Sequence, residues 1–314
     1  MKDVCPVGRR FPGGARSFLL LVVLSLCVCP AAAQQLEPRA YSPNPIGANF
    51  TGVTYTYQTG DVVFDASLPF SNVTANINST AFSYIRTFGL FGRSASAGLV
   101  LPYAWGHVQG DVQEEFRQIH RSGLADMWLR SSVNLLGGPA LTPAEFAKQK
   151  PSTTLGFSLF VVAPTGQYDP SKLINIGSNR WSFKPELGFT QPMGHWMFEV
   201  YTGVWFFTTN NDFFGGQTRT QEPIGTVQAH VSYTFRPRLW VAADYTYYWG
   251  GRSTVNGVLN ADLLANSRFG LTLAVPITRG QSIKFAWSKG ASTRIGADFS
   301  TYAVAYQFLW FDRK

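Results

Sequence analysis

The chain predicts an all-β fold, an antiparallel transmembrane β-barrel of outer-membrane type with about twelve strands. The first observation behind this is alternation. Val227, Ala229, Val231, Tyr233 and Phe235 alternate with Thr226, Gln228, His230, Ser232 and Thr234; Leu239, Val241, Ala243, Tyr245, Tyr247 and Trp249 alternate with a set containing Asp244 and Thr246. A period of two puts each set on one face of a strand. The second is length, since each run matches a tilted bilayer-spanning strand of about 9–11 residues. The third is composition: mean hydropathy is −0.02 although 15% of residues are aromatic. Barrel walls combine these, because only alternate residues face lipid and aromatics gather at the interfaces. No segment after the N-terminal region approaches the roughly 18 consecutive apolar residues of a spanning helix.

At the N-terminus, Lys2, Arg9, Arg10 and Arg16 precede the apolar run Phe18 to Val28 and then Pro30-Ala31-Ala32-Ala33. Basic region, short apolar core and small-residue cleavage site together predict a secretory signal peptide over residues 1–33. The residues flanking Arg9-Arg10 do not fit twin-arginine export. Cys27 and Cys29 each follow a bulky residue, which argues against lipidation. All three cysteines, Cys5, Cys27 and Cys29, fall inside this signal, so the exported chain must hold together without disulfides. A closed barrel does so, because every strand is paired on both sides. The formal charge is +8; removing the four basic residues and Asp3 with the signal leaves about +5, spread along the chain rather than gathered in a stripe, which argues against nucleic acid as a partner.

Residues 34–48 are expected as a short periplasmic lead-in, too few for an energy-coupling plug domain, and 49–314 as the barrel. Strands are predicted at 49–58, 80–91, 94–104, 123–135, 152–162, 180–191, 195–208, 222–235, 238–249, 267–277, 281–289 and 299–311. Short links, such as Gly92-Arg93 and Arg236-Pro237-Arg238, alternate with longer polar ones at 105–122, 163–179, 209–221 and 250–266. Outer-membrane barrels have short periplasmic turns and long outer loops, so both ends are expected in the periplasm. The link after the fourth strand differs. Thr142-Pro143-Ala144-Glu145 has capping-box spacing with proline at the first helical position, predicting a helix from Pro143 to Lys150. Val62 to Leu68 reads either as a further short strand or as loop.

Face sorting assigns Phe157, Leu159, Phe183, Leu187, Phe198 and Val200 to lipid. Charges belong on the opposite face, because each costs a few kcal/mol at the bilayer midplane. The candidate lumen lining is Asp126, Arg130, Lys184, Glu186, Glu199, His230 and Asp244. Tyr302, Val304, Tyr306, Phe308 and Trp310 form an alternating aromatic ending of the kind that marks barrel proteins for insertion.

Several strings occur together in order: Thr87-Phe88-Gly89-Leu90-Phe91-Gly92-Arg93, Leu101-Pro102-Tyr103, Gly123-Leu124-Ala125-Asp126-Met127-Trp128-Leu129-Arg130, Ala163-Pro164-Thr165-Gly166-Gln167-Tyr168-Asp169, Ile174-Asn175-Ile176-Gly177-Ser178-Asn179-Arg180-Trp181 and Asp212-Phe213-Phe214-Gly215-Gly216. Over about residues 40–311 the chain resembles the bacterial outer-membrane family labelled meta-pathway phenol-degradation proteins, often called transporters. The resemblance implies an outer-membrane barrel of a Gram-negative bacterium that passes aromatic or other hydrophobic compounds inward.

The lumen charges are expected to be either a selectivity lining or the paired filling of a closed barrel, twelve strands lying between barrels that side chains fill and wide porins. Tyr168 and Trp181 on the loop 163–181, and Phe213 and Phe214 on the next, are candidate solute contacts; turn chemistry and a packed loop tip are the plainer readings. His230 and Ser232 share a face, as an outer-membrane lipase would need. They share it with Gln228 and Thr234, away from lipid, so an enzyme is not expected. His107, His120, His195 and His230 show no metal-ligand spacing along the chain. No phosphate loop or dinucleotide fingerprint is present, and no cofactor is implied. The expected function is passive uptake of small hydrophobic or aromatic compounds across the outer membrane, with outer-membrane lipid as the surrounding partner; a closed structural barrel with ligand-binding outer loops is the alternative.

Overall fold

The computed structural model describes residues 36–64 and 70–312. The signal peptide expected over 1–33, and the part of the ambiguous Val62–Leu68 stretch beyond residue 64, lie outside the described residues. The wall is built from β1 (Ala48–Val63), β2 (Phe70–Leu90), β3 (Arg93–Val112), β4 in two runs (Glu115–Leu124 and Met127–Leu136), β5 (Thr154–Ala163), β6 (Ser182–Met193), β7 (Trp196–Phe207), β8 (Ile224–Arg236), β9 (Leu239–Gly250), β10 (Leu264–Pro276), β11 (Gln281–Ser292) and β12 (Gly296–Phe311). Each strand pairs antiparallel with its sequence neighbours, and β1 pairs with β12 from Ala48↔Phe311 to Val63↔Gly296. The sheet therefore closes on itself with no free edge through the bilayer, as a lipid-facing sheet must.

The predicted strands all form, but those near the N-terminus are longer than expected. The stretch 105–122, expected as an outer loop, is the upper half of the β3–β4 hairpin, paired down to Val112↔Glu115 across a two-residue turn. Gln113 and Glu114 both have positive φ, as a tight hairpin turn requires. Residues 59–63 and 70–79 likewise extend β1 and β2. Above the bilayer no face meets lipid, so the apolar/polar contrast fades although backbone pairing continues. On the periplasmic side, Phe91 and Gly92 at positive φ turn β2 into β3. The helix α1 is shorter than predicted, Pro143–Phe146, with its capping box formed: Thr142 N–H donates to Glu145 Oε2 (2.8 Å) and Glu145 N–H to Thr142 Oγ1 (3.4 Å). Pro151 disfavours helical backbone at Lys150, and the last turn unwinds before it.

The lipid face is as sorted. Leu187, Phe189, Val200 and Leu271 are exposed, while the alternate residues of the same strands are buried; Val53 and Phe285 are exposed on strands whose alternate residues are mostly half-buried. Four short strands in the outer loops, Asn210–Phe213, Gln217–Gln221, Ser253–Val255 and Val258–Leu259, form a separate sheet with Phe213 and Val255 buried. The residues expected as a periplasmic lead-in do not stay outside. From Glu37 to Ser42 they run within the bore, and only at Ala48 does the chain join the wall.

Candidate functional site

The bore is built in two layers. Toward the middle and the periplasmic half, alternate residues of β5 to β10 converge as a polar network around the N-terminal segment. Lys184 Nζ lies 2.7 Å from Glu186 Oε2, and Gln228 Nε2 donates to the same oxygen at 3.3 Å. Glu199 accepts from the Tyr201 hydroxyl at 2.6 Å and from the Arg39 backbone N–H at 2.8 Å. His230 Nδ1 sits 2.7 Å from Asp244 Oδ1, whose other oxygen accepts from Thr272 Oγ1 at 2.9 Å. The Arg39 guanidinium donates to Ser232 Oγ and Thr234 Oγ1 and lies over the Trp240 ring. Burying such charges is tolerable only because each is ion-paired or hydrogen-bonded.

Tyr41 is the anchor of the segment. Its ring lies against Gly156 and Gly188, which are opposed in the β5–β6 register; a Cβ there would stand 2.2 and 2.1 Å from ring carbons. Glycine is thus required for space. The Tyr41 hydroxyl donates to Glu186 Oε1 (3.0 Å) and shares a 2.6 Å hydrogen bond with Ser158 Oγ. The ring meets Tyr201 edge-on.

The outer half of the bore carries an aromatic and aliphatic cluster interleaved with buried polar groups, among them Arg180 over the Phe207 ring, Asn266 and Arg268. Phe160, Val162, Trp205, Ile224, Tyr248 and Leu264 form one buried cluster, flanked by Trp128 and Phe207. Each lies near the long-loop end of its strand. Lys184 marks the boundary, its ammonium 4.2 Å from the Phe160 ring centroid. At the outer rim, the loop 163–181 folds back onto the wall. Asp126, between the two runs of β4, holds it: Oδ1 accepts from Gly166 N–H (2.9 Å), and Oδ2 from Ser178 N–H (2.8 Å) and Oγ (2.5 Å). Gln167 N–H donates to Leu124 O, and Arg121 Nε to Ile174 O. The loop thereby covers the upper run of β4, which pairs with β3 alone. Between this loop and the β2–β4 extension lies a half-open cavity of about 190 Å³, with Phe70, Val73, Val108, Ile119, Leu173 and Ile174 in its walls and Arg117 and Arg121 at its border. Within the loop, Lys172 and then Ser171 hold the Asp169 carboxyl well below the usual carboxylate range.

Of the candidate lining, Lys184, Glu186, Glu199, His230 and Asp244 meet in the polar layer. Arg130 stands beside them, partly exposed, with Glu37 at 3.5 Å. Asp126 sits apart, as the loop anchor. Tyr168 bonds Asp212 O and Asn210, tying two outer loops together. Trp181 stacks on Phe183 at the outside of the wall, directed away from the bore. Phe213 is buried in the loop sheet with Phe214 packed against it, so neither is an exposed landing site. Ser232 Oγ is engaged by Arg39, and His230 by Asp244, inside the bore and away from lipid; neither is placed for attack on a membrane ester. Sequence reasoning missed Phe160, Tyr201, Trp205 and Tyr248 in the bore. Their strand parity, shared with Ser158, Glu199 and Thr246, is the signal that identifies them.

The closed wall, polar-and-apolar bore and lipid-facing exterior define an outer-membrane β-barrel. The chain belongs to the family described as "Putative MetA-pathway of phenol degradation", whose model matches residues 51–308. Among solved structures it is similar to the COG4313 outer membrane channel from Pseudomonas putida F1, with TM-score 0.75, 20% identity, and coverage of 88% of this chain and 100% of that one. It is also similar to the transport unit of the autotransporter AIDA-I from Escherichia coli, with TM-score 0.51, 8% identity, and coverage of 97% and 100%. At these identities the likeness shows the fold. No curated protein matches the chain.

Proposed function

We propose that the chain is an outer-membrane channel for passive uptake of small hydrophobic or aromatic compounds, with the outer cavity as capture site and the aromatic and aliphatic cluster in the outer half of the bore along the path inward. The cavity carries this reading. At about 190 Å³ with a mostly aliphatic lining, it exceeds the roughly 150 Å³ apolar cavity that is known to hold benzene. The paired charges and the docked segment below it leave no wide aqueous bore, which disfavours general diffusion of hydrophilic solutes. The phenol-degradation label of the family, and the name of the Pseudomonas putida channel, agree with this reading. The filled polar layer favours the alternative of a closed interaction barrel. The two are separated by uptake of radiolabelled toluene into intact cells carrying or lacking the chain. Val108→Trp, which fills the cavity, should slow uptake, whereas Val53→Trp on the lipid face should leave it unchanged. Equal uptake by all cells would dispose of the channel.

A further inference from the structure

Along the sequence the histidines stand far apart, but strand pairing brings two of them together. His107 on β3 and His120 on β4 are directly opposed in register, and their ring centroids lie 4.5 Å apart at an interplanar angle of 44°. Both side chains are exposed on the outer face of the hairpin, two register pairs beyond Trp105. We propose that this pair is a binding site for a divalent first-row transition ion such as Cu²⁺ or Zn²⁺.

The spacing fits. An ion bound about 2.0 Å beyond a ring nitrogen lies about 3.2 Å from that ring's centroid, so two imidazoles at a right angle about it have centroids about 4.5 Å apart. Imidazole is a ligand for these metals. The hairpin holds the two backbone positions opposite one another through continuous pairing and the two-residue turn at Gln113-Glu114, so only side-chain rotamer freedom is lost on binding. Among the described residues no group of three or more His, Cys, Asp or Glu side chains is set to hold a metal. The neighbour on the other side, Asn76, has its Oδ1 engaged by Tyr57 and Thr59. The ion therefore keeps open positions for water or for an oxygen ligand presented from outside the barrel. Spanning β3 and β4, it would cross-link the extension that walls the outer cavity.

The test uses the full chain, purified without a histidine tag and titrated with CuSO₄. One ion per barrel and an electron paramagnetic resonance spectrum with two equivalent nitrogens are expected. His107→Gln and His120→Gln should each weaken binding by about 10²-fold, the advantage of a second ligand held at fixed distance. His195→Gln, at a periplasmic turn, should bind as the parent does. A one-nitrogen spectrum, or affinity unchanged in both variants, would overturn the proposal. Heat-modifiable gel mobility checks that each variant is folded.

Discussion

Tyr41→Ala should release the N-terminal segment from the bore. Tyr41 is 2% exposed, and its ring fills a seat made by two glycines. Removing the phenol empties roughly 100 Å³, and at about 24 cal/mol per Å³ the void costs about 2.4 kcal/mol. Water entering the seat recovers part of that, while the lost ring burial adds about 1–2 kcal/mol. A net loss near 3 kcal/mol raises the undocked-to-docked ratio about 150-fold. Tyr41→Phe keeps the ring and loses only the hydroxyl bonds to Glu186 and Ser158, about 1.5 kcal/mol, or roughly tenfold. Residues 34–314 contain no cysteine, so a single Ser42→Cys reports undocking through its reaction with a bulky maleimide. Its labelling rate should rise in the order parent, Phe, Ala. Gly188→Ala, which pushes a methyl into the ring, should act like Tyr41→Ala from the other side. Equal labelling rates in all four folded proteins would refute the docking argument.

Asp126→Ala should free the loop 163–181, because the buried N–H groups it satisfies cost about 1–3 kcal/mol each when left unpaired; trypsin cleavage after Lys172 on intact cells should quicken about tenfold, and an unchanged rate would count against the anchor. Leu271→Arg on the lipid face, where Leu271 is 52% exposed, should lower stability by about 2–4 kcal/mol in urea titrations in vesicles, and no change would misplace that face. The Asp169 carboxyl is held below its ordinary 3.8 by Lys172 and Ser171. A lowered carboxylate pKa contributes stability fully present above the ordinary value and lost as pH falls through the folded one, so the Lys172 turn should be fully stabilised down to about pH 4 and should still persist below it. A ¹³C titration of Asp169 with an ordinary midpoint would contradict this.

How much was legible in the sequence depended on the solvent each segment meets. Strands that cross lipid carry a contrast a reader can see, as in Val227, Ala229 and Val231 against Gln228, His230 and Ser232, and there the structure agrees within a few residues. The upper β3–β4 hairpin has water on its outer side, so Gly106, Gln109 and Gly110 read as loop although the pairing continues. The bore was half legible. Charges such as Lys184 and Glu186 had to face inward, whereas Phe160 and Trp205 looked like lipid-facing aromatics unless their parity was followed. The placement of Tyr41 left no local trace at all, since its partners Ser158 and Glu186 are 117 and 145 residues away.

The seat of Tyr41 also bears on how the wall finds its alignment. Gly156 and Gly188 are opposite one another in only one alignment of β5 against β6. A slip by one residue turns one glycine outward. A slip by two sets it against a neighbour with a side chain, and the ring has nowhere to lie. Arg39 makes a comparable demand farther round, reaching Glu199 on β7, Ser232 on β8 and Trp240 on β9. The few residues ahead of the first strand thus act as an internal gauge: the segment docks only when the central strands are correctly phased.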